Sequence, residues 1–353
     1  MSLEMGEKRD TYHQLDELTR KVYTLTATED LVDAADRLIA KSGDMVFTEL
    51  VGGVREVVRL WLQEKQSVFS KYSDDPEVLT ALAFNAIAVH GKKRKSGQTY
   101  ASHPIKVAEI SLLTLEAATA EQQKEALLLA LLHDVLEEDT VPFLQGKKQK
   151  QQLGLVPTDQ NAVFSTLEAV TLALDTFGHT FGDAMNAEDL IYLMEPVLEK
   201  DTFLLDGHDP YFVELLFFIT LLKMTRNKVV VTTEIADRIA ELHDLTYITE
   251  GTIPFDAKKQ KLLLTFAKCF YFVEELMSIH GADGNLLNDI YAFFRFSLYS
   301  IIEKHRDYVT LSEVMNTVQF FDNFNKSHEK MMQDTITTYL ADLGIAKEGL
   351  ETL

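Results

Sequence analysis

The chain has 353 residues, 46% of them hydrophobic, and a formal net charge of −21. That hydrophobic share suffices to bury a sizeable core, in one large domain or two. So strong an acid excess excludes general nucleic-acid binding, because a phosphate backbone is repelled by such a surface, while leaving room for a small phosphorylated ligand in a closed, locally basic pocket.

Seven prolines and sixteen glycines are few for this length and favour long helices over many short strands. Cys269, the one cysteine, sits in the apolar run "LLLTFAKCFYFVEEL" and reads as a small buried hydrophobe. With no intrachain disulfide possible, the composition suits a reducing compartment. The N-terminus lacks the order of a secretory signal, and the most apolar segment, "VELLFFITLLKM", is too short to span a bilayer. A soluble, cytoplasmic protein without a membrane partner is expected, possible as a homo-oligomer.

Helical periodicity dominates in chain order. It runs through "DELTRKVYTLTATEDLVDAADRLIAKS", "FTELVGGVREVVRLWLQEKQSVFSKY" and "PEVLTALAFNAIAVH". It continues in "PIKVAEISLLTLE", "KEALLLALLHDVLEE" and "VFSTLEAVTLALDTF". Residues 144–160 are polar and read as a loop or weak helix, and residues 178–210 read as an insertion between core helices. Beyond them come "DPYFVELLFFITLLKM", "TEIADRIAELHDLTYI", "KKQKLLLTFAKCFYFVEELMSI", "NLLNDIYAFFRFSLYSIIEKH" and "HEKMMQDTITTYLADLG". "KVVVTTEI" has the β-branched content of a strand, but its helical flanks place it in a helix. The expected fold is all-α: a helical N-terminal extension over 1–74, a core over 75–280 and a helical C-terminal extension over 281–353.

His-Asp occurs three times, as His133-Asp134, His208-Asp209 and His243-Asp244, and in so acidic a chain chance supplies such doublets. Context separates them. His133-Asp134 closes "EALLLALL", a run apolar almost all round and therefore a buried helix. A histidine and an aspartate there are costly unless paired or coordinated. On helical spacing Glu137 and Glu138 neighbour them, gathering carboxylates at the negative end of a helix dipole. A divalent cation would relieve that repulsion; a solvated C-terminal turn is the alternative. His103 stands before a helix whose first turn holds Pro104. Asp237, flanked by apolar Ile235, Ile239 and Leu242, needs a partner, and its neighbour Arg238 points about 100° away around the helix. His208-Asp209 reads as a turn, and His243-Asp244 as a surface pair or a pocket rim.

In this order "HGKKRKSGQTYASHPIKVAEI", "LLLALLHDVLEEDT" and "NKVVVTTEIADRIAELHDLTYI" resemble the signature segments of the HD-domain hydrolases of the RelA/SpoT type, over roughly residues 75–280. The resemblance implies an HD-domain helical bundle acting as a metal-dependent (p)ppGpp 3'-pyrophosphohydrolase of the stringent response. It implies a metal, manganese above others, held by His103, His133, Asp134 and Asp237. It implies Glu137 and Glu138 as the water-activating acids, although the extra acid here leaves Asp139 as a rival for the second place. It puts Arg94 against the guanine base and Lys95, Ser96 and Tyr100 beside the nucleotide. Where the family has an asparagine and a threonine that hold the nucleotide, this chain has Glu241 and Asp244, which would repel a polyphosphate unless they face away. About seventy helical residues follow position 280, too few for the synthetase domain of long family members, so no synthetase activity is expected. A hydrolase of another nucleotide or phosphoester, or a catalytically silent nucleotide-binding scaffold, would share the same segments.

Overall fold

The computed structural model describes residues 31, 34–35, 37–38, 47–64, 69–90, 92–94, 99–115, 118–135, 177, 180–181, 184–186, 188–190, 192–193, 210–245, 254–281 and 287–342. Among them the fold is all-α; the strand-like pairing is confined to an isolated bridge between Lys93 and Thr99. The helices are α1 (Phe47–Glu64), α2 (Pro76–Ala88), α3 (Ser102–Thr114), α4 (Ala120–Leu132), α5 (Pro210–Met224), α6 (Lys228–His243), α7 (Phe255–His280), α8 (Asn288–Lys304) and α9 (Leu311–Asp342), with a 3-10 turn at Ser70–Tyr72.

Local chemistry starts several of these helices. Asp75 caps α2, its carboxylate accepting from the backbone N–H of Glu77 and Val78, with Pro76 in the first turn where no N–H is needed. Thr119 and Gln122 form a reciprocal capping box at α4. Asn227 caps α6 through Val229 N–H at 2.9 Å.

Helix α6 is the axle of the bundle: it packs against α3, α4, α7 and α8. Every residue from Val229 to Ala240 is buried. That burial explains why "KVVVTT" is helical despite its β-branched content. Removing apolar surface from water contributes about 1.5–3 kcal/mol per large side chain, far above the few tenths of propensity lost. The two threonine hydroxyls are satisfied inside the helix, Thr232 donating to Lys228 O and Thr233 to Val229 O. Helices α3 and α4 pack on each other and on α6, and α2 backs α4. Helix α8 of the C-terminal segment also lies against α6, and α9 closes over α5 and α7, where Phe212 meets Phe320, Phe321 and Phe324. Within the stretch read as an insertion, Phe181, Asp189, Tyr192 and Leu193 are buried; Phe181 packs on Phe84 of α2, and Tyr192 stacks on Phe218 of α5. No helix of the described residues is long and apolar enough to cross a membrane.

The start of α6 is tied to the rest by a polar clasp. Asn227 Nδ2 donates to both Glu125 Oε1 (2.6 Å) and Asp189 Oδ1 (2.7 Å). Burial, with the Glu125 and Glu188 charges beside it, pushes the Asp189 carboxyl up to about 8. Replacing Asn227 by Ala removes the helix cap and the donor shared by two carboxyl groups. The expected loss is roughly 2–4 kcal/mol in urea denaturation, above the ~1 kcal/mol of an ordinary cap. A loss of about half a kcal/mol or less would show the clasp to be dispensable.

Candidate metal centre

Three helices deliver four side chains to one place. His103 lies in the first turn of α3 rather than ahead of it, because the helix already begins at Ser102, whose hydroxyl donates to Thr99 O. His133 is the C-cap of α4, and Asp134 follows it. Asp237 is on the buried face of α6. Ligand atoms of His103, His133 and Asp134 lie within 4.8 Å of one another. Asp237 joins them through the histidines: its Oδ1 is 2.8 Å from His103 Nε2 and 3.8 Å from His133 Nε2. His133 Nε2 is also 3.1 Å from Asp134 Oδ1, and the two imidazoles meet edge to face.

The ring orientation is set from behind. His133 Nδ1 is 2.8 Å from Ala130 O, so that nitrogen carries a proton, and with a cation bound the lone pair would sit on Nε2, which faces the carboxylates. His133 Nε2 is buried and makes no hydrogen bond. Two imidazole nitrogens and two carboxylates form a mixed donor set suited to a borderline or hard divalent ion, so the residues fit a cation.

Without a cation the balance is kept by protons and by one arginine. Burial lowers the affinity of His133 for a proton, but Asp134 and Asp237 outweigh it and push its pKa up to about 9. Burial alone would raise the carboxyl of Asp237. The Arg238 guanidinium, then His103 and His133, reverse this and hold it well below the usual carboxylate range. Arg238 does not point away from Asp237 as the angular spacing of adjacent helix residues suggested. Its flexible stem brings Nη2 to 2.6 Å from Asp237 Oδ2, while Nε reaches Glu234 and Nη1 reaches Glu241. The same guanidinium lies over the Phe272 ring. Tyr192 donates to the other oxygen of Glu234, whose carboxyl burial pushes up to about 7. Cys269 is buried as expected, its thiol 3.8 Å from Glu241 Oε2.

The pair His243-Asp244 is buried, not at the surface, because α6 ends inside the bundle. Asp244 Oδ2 is 3.5 Å from Arg94 Nε and 3.7 Å from His103 Nδ1, and Oδ1 receives Lys106 Nζ. Arg94 also lies over the Tyr100 ring. Both acids that replace the expected amide and hydroxyl are therefore charge-compensated from within: Glu241 by Arg238, Asp244 by Lys106 and Arg94. Among the other residues picked from the sequence, Glu137, Glu138, Asp139, Lys95, Ser96 and the His208-Asp209 turn lie outside the described residues. Lys106, one turn beyond His103, reads from the sequence as an ordinary solvated lysine until α6 brings Asp244 to it.

The chain matches no family model, no curated protein and no solved structure. What the centre can do is therefore argued from its own atoms. Its donor atoms could hold a divalent cation, with a cationic side, Arg94 and Lys106, on the His103 flank.

Replacing Arg238 by Met leaves Glu234, Asp237 and Glu241 without their shared counter-charge; the expected cost is about 3–5 kcal/mol in chemical denaturation, only partly recovered by Lys. A second expectation concerns His243. Burial, then Lys106 and Lys304, lower its pKa from the ordinary 6.5 to about 4. A depressed folded value means that its contribution is complete above pH 6.5 and is lost as pH falls from there through 4. Denaturation curves across that window should steepen by at most about 1.4 kcal/mol per pH unit for the native chain relative to His243→Gln. Equal pH slopes in the two proteins would refute the assignment.

Proposed function

We propose that the chain is a metal-dependent phosphohydrolase resembling the RelA/SpoT-type hydrolases, with a guanosine 3'-pyrophosphate such as ppGpp as its substrate class. The observation that supports this reading is the meeting of His103, His133, Asp134 and Asp237, which come from three separate stretches of the chain and are the residues to which the resemblance assigns a metal. These four would hold the cation. Bound there, a divalent ion would supply Lewis-acid polarisation of a phosphoryl oxygen and an acidified water.

The remaining work belongs to the chain. Asp237, anchored by Arg238, keeps a fixed negative charge beside both imidazoles. Glu137, with Glu138 or Asp139, is assigned the proton of the attacking water, a role that requires a carboxylate within hydrogen-bond reach of it. Arg94 lies over the Tyr100 ring, and its planar cation would suit a base or a phosphate.

A second reading, a hydrolase of a different nucleotide or phosphoester, draws on Asp244. Its carboxylate already engages Arg94 and Lys106, so these cations offer a polyphosphate less free positive charge than a neutral threonine at that position would leave them. A panel of nucleotides assayed with Mn2+ separates the readings: pyrophosphate release from ppGpp supports the first, orthophosphate release from another nucleotide the second. Metal analysis should find about one ion per chain, lost in His133→Ala and Asp237→Ala. Glu137→Gln should abolish turnover while retaining the ion; if turnover survives that change, Glu137 is not the base, and if no substrate turns over at all, the chain is a silent scaffold.

A further inference from the structure

We propose that Asp244 is a positioning residue for His103: with a cation in the cluster, its Oδ2 would accept the Nδ1–H of the imidazole and so keep the Nε2 lone pair turned toward the metal. The inference rests on the metal-centre reading above and adds a residue to it.

The two histidines of the cluster need the same thing. Each must present Nε2 without a proton, which requires that Nδ1 carry the proton and have somewhere to donate it. His133 has Ala130 O at 2.8 Å for this purpose. His103 has no such backbone acceptor: its Nδ1 is buried and makes no hydrogen bond. The atom facing it is Asp244 Oδ2, 3.7 Å away, equally buried and equally without a hydrogen bond. Two orphaned, complementary atoms thus face each other just beyond hydrogen-bond distance. Nε2 on the far side of the same ring is 2.8 Å from Asp237. In that arrangement Asp237 and Asp244 compete for the imidazole proton. A cation drawn to Asp237 and Nε2 would exclude the proton there and leave it to the Asp244 side.

Asp244 is held for this task. It closes α6, its backbone N–H bonded to carbonyls of the last turn. Its other oxygen receives Lys106, which stands three residues after His103 on α3 and so shares its face. The helix that carries the ligand also carries the lysine that aims the ligand's partner. Arg94 Nε, 3.5 Å from Oδ2, places a second positive charge on the same side.

Titration calorimetry with Mn2+ on the full chain tests the proposal. Asp244→Ala should bind Mn2+ about 10–100-fold more weakly than the native protein. Asp244→Asn, whose amide oxygen can still accept from Nδ1–H, should recover part of that loss, and Lys106→Met, which keeps the acceptor, should lose far less than Asp244→Ala. Nitrogen-15 histidine spectra of the Zn2+-loaded protein should show His103 protonated at Nδ1 in the native chain, with that signal shifted or broadened in Asp244→Ala. Should Asp244→Ala fail to fold, weaker binding by Asp244→Asn than by Lys106→Met decides in favour. Native affinity in both Asp244 variants, or an unchanged His103 signature in Asp244→Ala, overturns the positioning role while leaving the metal centre intact. No Mn2+ binding by the native protein, or binding indifferent to His133→Ala, overturns the metal centre and the positioning role together.

Discussion

A carboxylate in the middle of a helical core persists only if its charge is answered on every side, and Asp237 is where this chain meets that constraint. One oxygen takes the guanidinium of Arg238, the other faces two imidazoles. Desolvating an ion costs several kcal/mol, so these pairings offset a cost of burial rather than add net stability. Because α6 packs on α3, α4, α7 and α8, its demand for partners reaches most of the bundle. Helix α3 answers with His103, α4 with His133, and α7 with the Phe272 ring beneath Arg238.

The same logic explains how a chain with a net charge of −21 builds its interior. Arg238 is shared among Glu234, Asp237 and Glu241, and Asp244 is shared by Lys106 and Arg94. Arg238 and Asp244 each touch more than one opposite charge, so removing either exposes several. Farther along α6, the Asn227 clasp on Glu125 and Asp189 is the neutral counterpart: two carboxyl groups tied through one amide and relieved by a raised pKa instead of a cation.

Some of the site was legible because it is encoded locally. The apolar run before His133 announces a buried helix, and a histidine and aspartate at its end announce a cost that something must meet. Asp237 among Ile235, Ile239 and Leu242 carries the same message. His243 and Asp244 were not legible in this way. Two polar residues past the end of an apolar stripe look solvated, and nothing in the spacing shows that α6 ends inside the bundle. Lys106 was silent for the same reason, its partner being more than a hundred positions away.

By itself the amino-acid sequence determined the all-α class and the buried faces of α4 and α6, since periodicity acts over a few residues. Only the tertiary structure decided which charges meet. Arg238 turning back on Asp237, Asp244 reaching His103, and α8 backing the site helix depend on how helices cross. Crossing is set by the packing of whole faces against one another, a property that no short stretch of chain contains.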